Sequence, residues 1–507
     1  MKDSVFYQMS VLTLSGTLLN LLGFGYRMFL AHTVGAEGIG VYQLVLPFYS
    51  VLQAATLSGL CLAVSAIAAR EGAFGAKRVF FRAAGMFFAL FCAVFTITLT
   101  QSDFLSRVLL GDTRTRKAIL LLLPCLFLTG FENLWKHYFY GIQKSRPPIT
   151  SELTEQLVRY LAVAVLLLTI KPTTSENACA CIVLGMVISE VVSVCILARF
   201  FRKERADFSP MRTTRKDLLA IALPAMASGL LLNLLSSLNA VLIPRRLIFY
   251  GYSAARATRE YGILFGMTLP LLTLPLALLG ALPAVLIPKL SEGLNVPALT
   301  RRKAAKALHL TGLLAFPALA LSLPLGNALL QAFYKQTVPV QDLLPLCLAT
   351  FFSFYQFTSA AILNGIGKTR SGSVHALASG AVQFCFTWLT GAFGLRAFLW
   401  GNVLSTLLCM LWNLCTVQTA LHLRFRFRNW VVTPALAALL AGLMTHTVFL
   451  RFCADRVPLA TLFSALLGCA LYLLALRIQG TSLSRYLKPI LRQKSQIQTP
   501  RKRPEQA

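Results

Sequence analysis

Apolar runs of about 20 residues recur from one end of this chain to the other, each long enough to cross the roughly 30 Å hydrocarbon core of a bilayer as a helix. In that medium a backbone must satisfy its own N–H and C=O groups, which leaves helices or a closed barrel. A barrel would show short segments of alternating hydrophobicity, and none are present. Charged residues are only 13% of the 507 and hydrophobic ones 56%, against about 25% charged in a soluble domain. The expected class is an all-α polytopic membrane protein.

Hydropathy places about fourteen transmembrane helices, roughly at 8–31, 39–68, 80–101, 118–141, 150–170, 177–199, 217–243, 261–288, 304–330, 341–364, 371–394, 397–420, 431–450 and 457–477. The loops between them are too short for a soluble domain. The start, "MKDSVFYQMS", is nearly uncharged and no small-residue cleavage site follows, so the first run reads as a retained span. With the N-terminus inside, 32 of the 48 lysines and arginines fall on the cytoplasmic side and 13 on the other. Three more, Arg27, Lys136 and Arg159, fall within the runs. The positive-inside rule therefore puts both termini in the cytoplasm. A net charge of +30 built this way reports topology and attraction to anionic lipid, not nucleic acid. Most of the twelve cysteines sit within apolar runs, and Cys179 and Cys181 lack metal-ligand spacing, so buried thiols are expected.

One motif suggests a nucleotide site. Gly365-Ile366-Gly367-Lys368-Thr369-Arg370 contains Gly-Lys-Thr, but a phosphate-binding P-loop needs glycine where Ile362 stands. Gly141-Ile142-Gln143-Lys144-Ser145-Arg146 is a better match to it, 224 residues earlier. Glu71-Gly72 and Glu292-Gly293 repeat at 221, and Pro47 and Pro270 at 223. Such recurrence reads as an internal duplication. It gives a first lobe at 1–200, a basic linker at 201–216, a second lobe at 217–420, two added helices at 431–478 and a basic tail at 479–507. Lys144, Arg146, Lys368 and Arg370 then belong to two equivalent cytoplasmic turns. Parallel repeats of this kind build alternating-access transporters with the substrate site between the lobes.

An ionisable residue inside a span costs roughly 2.5–3.5 kcal/mol on insertion scales and is a functional candidate by default. Arg27 lies in the first span, with snorkelling to the headgroups as its bland alternative. Glu152, Glu155 and Arg159 share one stripe of the fifth span. Glu155–Arg159, like Glu132–Lys136 on the fourth, reads either as a self-neutralising clamp or as part of a substrate or ion site. Glu190 has no partner in its own span, and pairing to another helix is the favoured reading. His375 is expected to be structural. Arg256 and Arg259 crowd a loop on the outer side, as a cationic vestibule or paired internally to Glu260. The prolines at 270, 275, 283 and 288 predict kinks in the eighth span.

"GFGYRMFLAHTVGAEGIGVYQLVLPFYSVL" (Gly23–Leu52) and "YGIQKSRPPITSELTEQLVR" (Tyr140–Arg159) resemble the first two helices and the helix four–five turn of polysaccharide-type flippases in the multidrug/oligosaccharidyl-lipid/polysaccharide (MOP) exporter superfamily. The resemblance covers nearly the whole chain and is strongest to the stage V sporulation protein B group, with lipid II flippases as cousins. It implies a bacterial plasma-membrane carrier that moves undecaprenyl-pyrophosphate-linked sugars from inner to outer leaflet around a cationic cavity, with Arg27 at the family's cavity arginine. Lipid II flippases have further arginines in helices two and eight. Here the second helix has none, and the eighth has only Arg256 and Arg259 at its outer start, which favours the sporulation or general polysaccharide branch.

Two alternatives stand beside this reading: a cation-coupled multidrug exporter, whose cavity would be acidic, and a polytopic cell-wall glycan enzyme, which would need a larger outer loop. The expected partners are a lipid-linked glycan and membrane lipids, with no nucleotide or nucleic acid, and a monomer as the working unit. No cofactor or metal is expected; coupling to Na⁺, H⁺ or the membrane potential stays open.

Overall fold

The computed structural model describes residues 5–204, 215–280, 282–291, 296–390, 394–423, 427–452 and 457–479. Most of the basic linker, all but the first residue of the tail, and Glu292-Gly293 lie outside that range, and so do the side chains of Glu71 and Gly72. The described residues hold helices and no strand. Ten helices are long and apolar enough to cross a membrane, and two shorter apolar ones, Ser58–Arg70 and Phe463–Ile478, accompany them.

The segment read from the sequence as the first lobe contains α1 (Val5–Thr56), α2 (Ser58–Thr100), a single turn α3 (Ser102–Phe104), α4 (Arg116–Gly141), α5 (Arg146–Ile170) and α6 (Ser175–Lys203). The second contains α7 (Arg215–Phe249), α8 (Ala254–Tyr261), α9 (Leu269–Leu272), α10 (Leu282–Ser291), α11 (Pro297–Tyr334), α12 (Val340–Gly365), α13 (Thr369–Thr390) and α14 (Leu395–Leu421). Finally α15 (Thr433–Phe452) and α16 (Val457–Ile478) pack on α11. There Tyr472 donates its hydroxyl to the Leu313 carbonyl at 2.9 Å.

Two connections differ from the sequence reading. The expected loops at 32–38 and 69–79 are helical instead. Between the first two spans the chain leaves helical geometry at Gly35 alone, with φ 73° and ψ 178°. A side chain there would be strained, so glycine permits a one-residue connection that hydropathy cannot register. The eighth span is broken, as its prolines predict, into α8, a π-helical turn at Gly262–Thr268, α9, a 3₁₀ segment at Leu274–Leu279 and α10. Pro270 opens α9 and Pro275 opens the 3₁₀ segment, each where its missing N–H goes unneeded.

The two G-I-x-K-[ST]-R turns are built alike, bond for bond. After α4, the N–H groups of Ile142, Gln143 and Lys144 donate to the carbonyls of Tyr138, Tyr140 and Phe139 at 3.1, 3.1 and 2.9 Å. After α12, Ile366, Gly367 and Lys368 donate to Ile362, Asn364 and Leu363 at 3.0, 3.2 and 2.8 Å. Gln143 and Gly367 both take positive φ, 60° and 78°. Each time the glycine that ends the helix is pressed against an earlier helix: a Cβ on Gly141 would meet Ala68 of α2, and one on Gly365 would meet Leu290 of α10. Lys144, Arg146, Lys368 and Arg370 are all exposed at this end of the molecule. Lys144 also holds the Glu204 carboxylate at 2.7 and 2.8 Å.

The lobes touch through small residues, as membrane helices without a hydrophobic drive to associate must. At the end opposite the turns, a Cβ on Gly40 would overlap the Thr258 backbone, and one on Gly262 would overlap Ala36 and Gly40. Arg114 bridges the same seam, pairing with Asp112 and Glu37 and donating to Thr258 Oγ1 at 3.1 Å. Nearer the turns, Gly59 lies against the Ala222 backbone. Substituting Gly40→Leu should therefore prise the lobes apart at the Arg114 end only. Hydrogen exchange should rise several-fold at 36–40 and 258–262 and stay unchanged at 59 and 222; equal protection at all four would refute the contact.

Candidate functional site

Arg27 projects from α1 into a cavity of about 360 Å³ between the lobes. Asn20, Gly23 and Phe24 of α1 and Gln156 of α5 form its first-lobe wall. Pro270, Thr273, Leu274 and Ala277, from the broken eighth span, form the opposite one. Among the described residues Arg27 has no ion-pair partner, so its guanidinium stands as a single positive charge among amides, a hydroxyl and carbon. A planar guanidinium in that setting suits bidentate binding of a phosphate or carboxylate.

A second cavity, of about 330 Å³, lies within the second lobe and mirrors the first. Residues of α7, α12, α13 and α14 line it, and Pro47 of α1 reaches it from the first lobe, as Pro270 reaches the Arg27 cavity from the second. Its lining is uncharged: Asn239, Gln356, Gln383 and Asn402 with Ser236, Ser379, Ser405 and Thr406. Asn239 Oδ1 is buried without a hydrogen-bond partner. His375 stands apart, bonded to Asn413 Oδ1 at 2.9 Å.

The remaining in-span charges meet in one network inside the first lobe. Lys136 of α4 reaches Glu132 at 2.7 Å, Glu155 at 3.5 Å and Glu152 at 3.6 Å. Arg159 pairs with Glu155 on its own helix and reaches Glu190 of α6 at 3.5 Å. Its Nε also donates to Ser189 Oγ at 3.3 Å, and Ser193 donates to Glu132. The two i, i+4 pairs are thus halves of a single assembly, and Glu190 is tied in by a residue 31 positions earlier on another helix. Glu132, Glu155, Glu190 and Lys136 are all less than a tenth exposed. None of this network lines the Arg27 cavity, though Gln156 lines that cavity from the helix carrying Glu155 and Arg159.

Arg256 and Arg259 line a third cavity, of about 1030 Å³, at the end opposite the turns. Lys335 and Arg396 join them, with Glu37, Glu260 and Asp342 as the acids. Neither arginine pairs with Glu260; Arg256 lies over the Tyr252 ring at 4.7 Å, and Asp342 takes Arg396 at 3.2 Å. Sequence reasoning did not find Gln156, Thr273 or the Arg114 bridge. Single polar residues carry no hydropathy signal, and their partners come from distant segments.

The sequence model of the polysaccharide biosynthesis protein family matches residues 6–294, more than half of the chain. The chain belongs to that family. Stage V sporulation protein B of Bacillus subtilis (strain 168) is 25% identical to it over 498 residues, which cover 92% of this chain and 94% of the relative. Sporulation protein YkvU of the same organism is 22% identical over 75% of this chain and 87% of its own length. Among solved structures, the lipid II flippase MurJ in an inward closed conformation superposes with TM-score 0.68 at 12% identity, covering 94% of this chain and 99% of that one. An inward-facing multidrug resistance MATE family transporter of the MOP superfamily gives 0.65 at 15% identity, covering 80% and 95%. This family member is therefore a multi-pass helical membrane protein with the MOP-superfamily fold.

Proposed function

We propose that the protein carries a polyisoprenyl-diphosphate-linked glycan from the inner to the outer leaflet, by alternating access between its two lobes. The observation that carries this reading is Arg27, an unpaired cation in a cavity walled by both lobes. Rocking about the glycine seam would turn that cavity from one side of the membrane to the other. A diphosphate is the doubly anionic group such an arginine is suited to hold. The uncharged cavity of amides and hydroxyls in the second lobe suits sugar hydroxyls, which need donors and acceptors rather than charge. The family's role in polysaccharide biosynthesis agrees with that cargo. One chain supplies both walls, so a monomer is the working unit, with its termini in the cytoplasm.

A multidrug exporter shares the fold, but a cationic drug would meet Arg27 as a like charge in the interlobe cavity. Reconstitution separates the readings. In proteoliposomes, fluorescent undecaprenyl-diphosphate glycans should cross at a rate well above that of empty vesicles, while cationic dyes should not accumulate. Dye transport with no movement of glycan lipid would overturn the proposal.

A further inference from the structure

The cavity at the end opposite the turns, about 1030 Å³, is far larger than the one of about 360 Å³ at Arg27, and the two share no lining residue. Three stretches of chain converge on it: 252–263 after α7, 335–342 between α11 and α12, and 394–396 at the start of α14. Two of its acids are already engaged, Glu37 by Arg114 and Asp342 by Arg396 at 3.2 Å. Arg256, Arg259 and Lys335 make no ion pair among the described residues, and Glu260 is the acid of the lining left without one. Three cations therefore stand against one carboxylate.

The helices that begin here add to the excess instead of offsetting it. Ser253, Pro339 and Gly394 are the capping residues of α8, α12 and α14, and all three line the cavity. A helix N-terminus carries partial positive charge and unmatched N–H groups, so acids stabilise its first turn and cations weaken it. Of the three, α12 alone follows that rule, with Asp342. The first turns of α8 and α14 hold no acid and carry Arg256 and Arg396. No side chain caps α12 or α14. Arg256 lies over the Tyr252 ring at 4.7 Å instead of pairing with Glu260 one turn along its helix. Where local charge works against stability in this way, function is the expected reason.

We propose that this cavity binds a phosphate-bearing anion of at least two negative charges, with Arg256, Arg259 and Lys335 as its cationic ligands. Two guanidinium groups suit non-bridging phosphate oxygens as planar donor pairs, and the lysine adds a point charge. The uncapped N–H groups at the start of α14 supply donors of the kind that phosphates take at helix ends. A single carboxylate ligand would leave most of this positive charge unmatched, whereas a diphosphate matches it. Glu260 repels the same anion, so it lowers affinity and keeps the ligand exchangeable. Free diphosphate and the headgroup of a diphosphate lipid share this chemistry, and the experiment distinguishes them.

The test is titration calorimetry of the full chain in detergent micelles at low salt, with inorganic diphosphate as the probe. It is made in the Arg27→Ala variant, so the cavity proposed for the cargo does not contribute and either reading can fail without the other. Diphosphate should bind there, and more weakly as NaCl is raised. Adding Arg256→Gln and Arg259→Gln should weaken binding about tenfold or more, since each removes a charge-assisted contact. Adding Glu260→Gln instead should strengthen it several-fold. Arg256, Arg259 and Lys335 are all exposed, so their replacement leaves the fold intact, and Lys335→Gln serves should the double arginine change prove unstable. A polyisoprenyl diphosphate titrated in the same way separates the sources. If it binds with the same dependence on both arginines, the site takes a lipid headgroup; if only inorganic diphosphate does so, the ligand is a free anion. No diphosphate binding in Arg27→Ala, or binding that loss of these cations leaves unchanged, would overturn the proposal.

Discussion

Replacing Arg27 by alanine should reduce glycan-lipid transport between about tenfold and a hundredfold, while leaving the folded protein at its normal level in the membrane. Hydrogen bonds to a charged group contribute roughly 1.5–3 kcal/mol, and a tenfold change corresponds to about 1.4 kcal/mol. Arg27 is exposed to its cavity and makes no ion pair among the described residues, so its loss leaves no buried charge behind. That separates it from a structural arginine. Arg27→Lys keeps the charge and loses the planar fork, so an intermediate rate is expected. Proteoliposome flux at matched protein density is the measurement. Wild-type flux in Arg27→Ala would show that the arginine serves only to anchor α1 at the headgroups.

The second large effect is on stability. Arg159→Met should cost about 3–5 kcal/mol, because breaking a buried ion pair from one side strands the remaining charge. Two carboxylates, those of Glu155 and Glu190, lose their shared guanidinium together. The double variant Glu155→Gln/Arg159→Met should recover most of that loss, since it removes one charge of each sign. Unfolding in micelles, compared across the four members of this cycle, gives the coupling directly. Additive losses would mean that the two side chains do not interact, and that the network is a set of solvated charges.

The architecture was legible in the sequence because lipid imposes a length and a composition on every span. The repeated motif was legible for a different reason: a helix end pressed against its neighbour leaves no room for a Cβ, and the G-I-x-K-[ST]-R segments keep glycine at that place in both copies, as Gly141 and Gly365. Hydropathy missed the single-residue connection at Gly35, since it measures polarity and not backbone angle. The prolines announced that the eighth span is broken but not that it opens with a π-turn at Gly262–Thr268, whose first residue packs against Ala36 and Gly40 of α1, a distant segment.

Of the candidate site, the fifth-helix stripe of Glu152, Glu155 and Arg159 could be read from helical spacing. Its union with Glu132, Lys136 and Glu190 could not, because that rests on how three helices pack. Arg27 stood out as a charge in an apolar run. The wall facing it is Pro270 to Ala277, more than 240 residues away, and no local pattern links the two.

Binding selectivity tests the central claim most directly. Native mass spectrometry of the wild type with equimolar polyisoprenyl-diphosphate glycan and the same lipid lacking its phosphates should show strong preference for the diphosphate form. Arg27→Ala should bind both forms alike. Equal retention of both lipids by the wild type, or an undiminished preference in Arg27→Ala, would contradict a diphosphate site at Arg27.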